Sequence, residues 1–126
     1  MNSQLTGILQ ISIPVADVAR ATAFYRDLLQ LMFLFAAPNM AFFDCGGVRL
    51  YLSGEGSGHQ TAGAFVYFRT PNIDSELAIL KQRKVVIHQE PHIIARMPDH
   101  DLWLMWIKDS EGNLLGIMEE RKRQLD

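Results

Sequence analysis

Histidine and cysteine, which can bind metals and transfer protons near neutral pH, are scarce in this chain, with four histidines and one cysteine in 126 residues. His88 and His92 have the i, i+4 spacing of a metal-binding pair on a helix, but Pro91 lies between them and the segment has an extended pattern. Residues four apart in a strand are separated by about 13 Å, which is too far to share one ion. We therefore expect that these two histidines do not form a metal site together.

A second candidate for metal binding lies in the predicted turn that follows. His100 stands between Asp99 and Asp101, and with His92 these side chains could provide nitrogen and oxygen ligands for a divalent ion. This relocated site stays an open hypothesis. The single Cys45 cannot form an intrachain disulfide, and its apolar neighbours favour a buried, unreactive thiol.

Composition and charge limit the kinds of molecule that this chain is expected to bind. The net charge is −2 and the pI is about 6.0, which argues against nucleic-acid binding because such domains present a basic face. The longest uninterrupted apolar run, residues 31–37, is far shorter than the roughly 20 residues of a membrane span. The N-terminus lacks the basic and apolar regions of a signal peptide. We expect a cytoplasmic protein that binds neither nucleic acid nor membranes.

One pattern occurs twice along the chain. Residues 8–25 contain an alternating strand, a proline exit, the helix-capping Asp17 and an amphipathic helix, and residues 65–80 repeat this order 55 positions later. Residues 44–52 and 109–117 form a second related pair at an offset of 65. Because two separate elements recur in the same order, the sequence indicates two copies of one structural unit.

Each copy has the predicted order strand, helix and three strands, or βαβββ. The first module covers about residues 5–53 and the second about 62–119, with a Gly- and Ser-rich linker at 54–61 and a C-terminal tail at 120–126. Neither module is large enough to enclose a core alone. We therefore expect a single domain over residues 1–126, with an α+β fold. In this fold two tandem modules form an open half-barrel, with the helices outside and a cavity inside.

Several motifs resemble the vicinal oxygen chelate superfamily, which includes glyoxalase I, bleomycin-resistance proteins, extradiol dioxygenases and methylmalonyl-CoA epimerase. They are the segment Val15 to Val18, the helical segment Ala23 to Leu31 and the closing segment Lys108 to Leu114. The resemblance covers almost the whole chain, and it implies the same fold and a homodimer. Because one fold hosts many chemistries, it does not imply a particular reaction.

The resemblance also implies a divalent metal ion held by four positions on the first and last strands of the modules. Those positions carry Gln10, Tyr51, Phe65 and Gly116 in this chain. Gln10 agrees with the superfamily pattern of His or Gln, whereas the other three replace Glu, His and Glu. Phenylalanine and glycine side chains have no lone pair, and a catalytic zinc needs about three protein ligands. We therefore expect no metal and no other cofactor.

Nine side chains are predicted to line the cavity and bind a ligand. They give it aromatic and methionine walls with a few polar groups, which is typical of small-molecule sites. The arginines among them could hold an anionic group through charge-assisted hydrogen bonds. The alternative is that the aromatic side chains fill a core and the arginines are solvated at its rim. The nine residues are Gln10, Arg49, Tyr51, Phe65, Tyr67, Arg69, Trp103, Met105 and Met118.

The last hairpin determines which side chains face the cavity. A loop of four residues would pair Met105 with Gly116 and would turn Met105 toward the cavity. It would also pair Trp103 with Met118 on the cavity side, and Trp106 would then face the helices. Gly116 would leave open space in the cavity.

The expected function follows from the missing ligands and the aromatic cavity. We expect a superfamily member that has lost the usual metal site and binds a small, largely apolar molecule, which could carry an anionic group, without catalysing a reaction. One alternative is a metal-dependent lyase, isomerase or dioxygenase of the glyoxalase type with a relocated metal site. A second alternative is a non-catalytic interaction or sensor module whose cavity is filled by its own side chains.

Overall fold

A computed structural model describes residues 8–54 and 65–123 of the chain. The chain divides into two units, residues 1–62 and 63–126, and each unit contains one set of strand, helix and three strands. The repeated βαβββ order is therefore confirmed, and with it the α+β class. Most of the predicted linker, residues 55–61, lies outside the described residues.

The first unit is a four-stranded mixed sheet with one helix. Its elements are β1 (Gln10–Pro14), α1 (Val18–Ala23), β2 (Met32–Ala37), β3 (Met40–Cys45) and β4 (Val48–Ser53). The strands lie in the order β1-β4-β3-β2, with β1 parallel to β4 and the other neighbours antiparallel. The turn between β3 and β4 is formed by Gly46 and Gly47, which both have positive φ, as the favoured two-residue hairpin turn requires.

Helix α1 begins with a cap and ends in a wider turn. The carboxylate of Asp17 accepts the backbone N–H of Arg20 at 3.0 Å, as the sequence predicts. The helix then continues as a π-helical turn, Phe24–Leu28, in which the N–H of Leu29 donates to the carbonyl five residues earlier at 3.1 Å. The two adjacent aromatic residues of this turn, Phe24 and Tyr25, are both buried.

The core of the first unit lies between α1 and one face of the sheet. Tyr25 and Phe43 are fully buried there, with ring centroids 6.1 Å apart, and Leu50 is buried beside them. Because side chains alternate along a strand, Phe42 and Tyr51 point to the opposite face. We call the face of each sheet that lies opposite its helix the far face.

The second unit repeats this plan. Its elements are β5 (Tyr67–Arg69), α2 (Ile73–Gln82), β6 (Val86–Arg96), β7 (His100–Lys108) and β8 (Leu114–Lys122). The strand order is β5-β8-β7-β6, with β5 parallel to β8. Strand β8 runs three residues past position 119, where the predicted module ended. Within the two described stretches, neither helix has the length and hydropathy that crossing a membrane requires.

A buried carboxylate joins α2 to the sheet of the second unit. The side chain of Asn72 caps the helix by accepting the N–H of Ser75 at 3.0 Å. Glu119 of β8 accepts the N–H of Ile73 at 2.8 Å and two hydrogen bonds from Arg121 at 3.0 Å. The pKa of Glu119 lies below its ordinary value, chiefly because Arg121 donates to its ionised form and also because Ile73 does, while burial opposes the shift.

The pairing of β7 with β8 differs from the expected register by one residue. Lys108 pairs with Leu114 rather than with Asn113, because the loop contains five residues instead of four. The carboxylate of Asp109 accepts the backbone N–H groups of Glu111 and Asn113, both at 2.8 Å, and so holds Asn113 inside the loop. Gly112 has φ +83°, as in a hairpin loop with a left-handed glycine.

This shift changes the cross-strand partners of the last hairpin. Trp103 pairs with Glu119 and Met105 pairs with Ile117, so the expected pairs with Met118 and Gly116 are wrong. A one-residue slip moves every side chain of a strand to the other face of the sheet. The prediction that Trp103 and Met105 lie on the cavity side therefore has to be revised.

Candidate functional site

Three of the predicted ligand-binding residues share the far face of the first unit. The parallel pairing of β1 with β4 places Gln10 beside Arg49 and Ser12 beside Tyr51. The side-chain hydroxyl of Ser12 is buried and has no hydrogen-bond partner among the described residues. Gln10, Arg49 and Tyr51 therefore lie together on one face of this sheet, as predicted from the sequence.

A row of stacked aromatic rings crosses this far face. Phe35 of β2 stacks on Phe42 of β3 with centroids 4.5 Å apart and planes inclined by 24°. Phe42 in turn stacks on Tyr51 of β4 at 5.0 Å and 10°. Stacked rings of this kind contribute stability beyond their buried area. The row therefore forms an apolar surface next to the polar side chains of β1 and β4.

Arg49 is a charged group beside this aromatic row. Its guanidinium carbon lies 5.7 Å from the centroid of Phe42, and its Nε–H donates to the side-chain oxygen of Gln10 at 2.8 Å. Asp44 is its cross-strand partner, but within the described stretches no carboxylate forms an ion pair with Arg49. A partly buried guanidinium beside an aromatic surface can bind an anion.

Cys45 lies at the end of the neighbouring strand β3. Burial raises the pKa of its thiol, and the adjacent carboxylate of Asp44 raises it further. A thiol with a raised pKa is a weak nucleophile at neutral pH. The side chain is only partly buried, whereas a buried thiol was predicted, and the raised pKa agrees with the prediction that the thiol is unreactive.

On the far face of the second unit, an aromatic ring covers the position where open space was expected. A Cβ atom added at Gly116 would lie 2.5 Å from Cδ1 and 2.9 Å from Cε1 of Tyr67. The Tyr67 ring is also 5.4 Å from that of Trp106, whose ring contacts Phe65 at 5.3 Å. The expectation that Gly116 leaves empty space was wrong, because its cross-strand neighbour Tyr67 occupies that space.

An open pocket of about 220 Å³ lies beside this ring, within the second unit. Arg69 and Glu120 supply one positive and one negative charge, with their nearest nitrogen and oxygen 3.8 Å apart. The second oxygen of Glu120 lies 3.5 Å from Nε2 of His100. The residues that line the pocket are Tyr67, Phe68, Arg69, Leu102, Met118 and Glu120. It thus combines an ion pair with an apolar floor.

Trp103 and Met105 lie on the helix face of the second sheet. Met105 is fully buried, and the guanidinium of Arg121 lies 4.5 Å from the ring centroid of Trp103. Trp106, which was expected to face the helices, contacts Tyr67 on the far face instead. Trp103 and Met105 therefore belong to the packing under α2, and ligand contacts by the other predicted residues stay a prediction.

Comparison with known proteins identifies the family. A sequence profile of the Glyoxalase/Bleomycin resistance protein/Dioxygenase superfamily matches residues 7–117. The chain belongs to this superfamily. It is 28% identical over 123 residues to the metallothiol transferase FosB of Staphylococcus epidermidis, covering 96% of this chain and 70% of that protein.

Solved structures show the same superfamily fold. The lactoylglutathione lyase of Agrobacterium tumefaciens has a TM-score of 0.72 at 22% identity, covering 91% of this chain and 94% of that one. A glyoxalase family protein of Bacillus anthracis has a TM-score of 0.75 at 19% identity, covering 96% and 100%. Because the superfamily profile also matches residues 7–117, the resemblance that the motifs indicated is confirmed.

The positions at which the superfamily resemblance implies a metal do not fit one in this chain. The side-chain oxygen of Gln10 is already bound to the guanidinium of Arg49, a cation that would repel a second cation. Phe65 offers only carbon atoms, and Gly116 is covered by the ring of Tyr67. Zinc, magnesium and manganese each require several nitrogen, oxygen or sulfur ligands.

The relocated metal site from the sequence analysis does not come together either. His92 Nδ1 lies 3.0 Å from the carbonyl of Glu90, whereas His100 Nδ1 lies 2.6 Å from Asp99. Across residues 8–54 and 65–123, no three His, Cys, Asp or Glu side chains are grouped closely enough to hold an ion. His59 lies outside the described residues.

Several residues that shape these two surfaces were not predicted from the sequence. Phe35 and Phe42 complete the aromatic row, and Leu102 and Glu120 complete the pocket. Phe42 could have been found, because the two-residue turn at Gly46 and Gly47 fixes its position opposite Tyr51. Glu120 lies in the segment that was predicted to be a C-terminal tail, residues 120–126.

Proposed function

We propose that this superfamily member binds a small, largely apolar molecule with an anionic group, and that it does so without the superfamily's usual metal ion. The observation that carries the proposal is Arg49, whose guanidinium lies over the aromatic row with no carboxylate partner in the described part of the chain. A carboxylate on the ligand would accept charge-assisted hydrogen bonds from it. The apolar part would lie on the aromatic rings.

The chemistry of the metal positions supports binding without a metal. The ring of Tyr67 fills the space above Gly116, where the superfamily pattern asks for a carboxylate. At another of the metal positions, Gln10, the guanidinium of Arg49 already provides a positive charge. In this proposal the guanidinium attracts the anionic group that a metal ion would otherwise attract.

Protein purified without chelators is expected to contain far less than one divalent ion per chain. Elemental analysis measures this content, and a thermal-shift series with zinc, manganese, nickel and iron salts is expected to leave Tm unchanged. A 1:1 metal content together with a raised Tm would overturn the proposal and would support the metal-dependent lyase, isomerase or dioxygenase. A protein that responds to neither metals nor organic acids would favour the interaction or sensor module.

Replacing Arg49 by Gln is expected to weaken the binding of small monocarboxylates by about 10- to 100-fold, since hydrogen bonds to a charged group contribute about 1.5–3 kcal/mol. Benzoate, octanoate and their neutral amides are suitable probes, and calorimetry measures the affinities. The Arg26→Gln variant is the matched control, because Arg26 is exposed and already paired with Asp27. Equal affinities in the wild type and the Arg49→Gln variant would falsify the role of Arg49.

The homodimer, the cytoplasmic location and the absence of nucleic-acid and membrane partners stay predictions.

A further inference from the structure

The pocket of the second unit differs from the surface around Arg49 in its charge. It carries one cation and one anion, Arg69 of β5 and Glu120 of β8, above the apolar side chains of Leu102 and Met118. Tyr67 forms one wall. The two charges cancel, so the pocket gives a simple anion no net attraction.

The ion pair in this pocket can open at little cost. The nitrogen of Arg69 and the oxygen of Glu120 are 3.8 Å apart, and their side chains are 85% and 53% exposed. Exposed ion pairs of this kind contribute little to stability because water screens them. A ligand that offers each charge a closer partner can therefore separate them.

His100 lies on the other side of Glu120. The second carboxylate oxygen of Glu120 lies 3.5 Å from Nε2 of His100, and Nδ1 of that ring lies 2.6 Å from Asp99. The imidazole of His100 therefore lies beside the carboxylate of Glu120, on the side away from Arg69.

We infer that this pocket binds a zwitterion with an apolar side chain, of the kind found in hydrophobic α-amino acids. The ligand's carboxylate binds Arg69, its ammonium group binds Glu120, and its side chain lies on Leu102 and Met118 against Tyr67. A lone anion is disfavoured by Glu120 and a lone cation by Arg69. A cavity of about 150 Å³ holds benzene in another protein, so 220 Å³ has room for a benzene-sized side chain and its α-carbon groups.

This inference goes beyond the proposed function and is independent of Arg49, because the residues of the pocket all lie in the second unit. The two can therefore fail separately. Loss of carboxylate binding in the Arg49→Gln variant says nothing about the pocket, and the reverse also holds.

Three matched probes test the inference on the full chain: L-phenylalanine, 3-phenylpropanoate, which lacks the ammonium group, and 2-phenylethylamine, which lacks the carboxylate. Amide chemical shifts in a ¹H–¹⁵N titration at neutral pH report both the site and the affinity. L-phenylalanine is expected to bind at least 10-fold more tightly than either analogue, with the largest shift changes at Arg69, Leu102, Met118 and Glu120.

Two charge-neutral variants assign the contacts. Glu120→Gln is expected to remove the preference for L-phenylalanine over 3-phenylpropanoate, and Arg69→Gln to remove the preference over 2-phenylethylamine. Glu90→Gln is the control, because it neutralises another exposed ion pair of the same unit, with Lys81. Equal binding of a singly charged analogue, shift changes away from the pocket, or no change with any probe would each overturn the inference.

Discussion

The Glu119→Ala substitution is expected to lower the free energy of unfolding by about 2–4 kcal/mol, because charged hydrogen bonds and buried ion pairs are costly to break. Alanine leaves the N–H of Ile73 at the start of α2 without its acceptor and removes both bonds from Arg121. The loss is a large fraction of the roughly 5–15 kcal/mol by which a domain is stable. Urea denaturation followed by tryptophan fluorescence measures it.

Two control variants distinguish the loss of the hydrogen bonds of Glu119 from the loss of its negative charge. Glu90→Ala removes an exposed carboxylate of the same unit and is expected to change stability by less than about 0.5 kcal/mol. Glu119→Gln keeps an acceptor for Ile73 and is expected to cost less than Glu119→Ala. If Glu119→Ala were no more harmful than Glu90→Ala, the carboxylate would not be what holds α2 to the sheet.

The pH dependence of stability provides a separate measurement on Glu119. Its pKa is lower in the folded protein than the ordinary value of 4.5, chiefly through the bonds from Arg121. Its ionised form is therefore favoured by folding, so its contribution is complete above about pH 4.5 and is lost as the pH falls through the folded pKa. The stability difference between wild type and Glu119→Gln is expected to shrink in that acidic range and to stay constant above it.

The Gly116→Ala substitution is expected to destabilise the protein by about 1–3 kcal/mol, the usual cost of forcing an extra carbon into packed side chains. The added Cβ would lie 2.5 Å from the ring of Tyr67, so this ring has to move away from Trp106. The φ angle of Gly116 is not among the positive ones, so the cost comes from the clash and not from backbone strain. Urea denaturation gives the free energy, and tryptophan fluorescence reports the displacement of the ring.

A double-mutant cycle with Tyr67→Ala isolates this clash. Removing the ring leaves room for the new methyl group, so the double variant is expected to lose at least about 1 kcal/mol less than the sum of the two single variants. Additive effects, within about 0.5 kcal/mol, would show that the ring does not limit the space at position 116. The Leu104 side chain is the next nearest group, at 3.4 Å, which is a contact that relaxation can accommodate.

Much of the fold could be predicted from the sequence because the repeated signals are local. Asp17 caps the first helix as predicted, and Asn72, 55 positions later in the repeat, caps the second. Gly46 and Gly47 form the tight turn that a Gly-Gly pair favours. The hairpin after Lys108 could not be predicted in the same way. Its loop can hold four or five residues, and the hydrogen bonds of Asp109 decide in favour of five.

The residues of the candidate site could be predicted only where the pairing register of the strands could be predicted. The positions of Gln10 and Arg49 can be deduced from the strands of the first module and the turn at Gly46 and Gly47. The structure places the two residues side by side. The one-residue error in the second hairpin exchanged Met105 for Trp106 on the far face. The Tyr67 ring lies over Gly116 and packs against Trp106. The residues next to Tyr67 in the sequence do not indicate such a contact.

The π-helical turn after α1 has a consequence for comparing this chain with relatives. Its hydrogen bond spans five residues where an α-helix spans four, so the turn accommodates one residue more than a regular helix needs. A relative that is one residue shorter between Phe24 and Leu28 can form this turn as ordinary α-helix and keep β2 in the same position relative to α1. Alignments that force every length difference into loops will misplace the gap and shift the buried aromatic pair by one position.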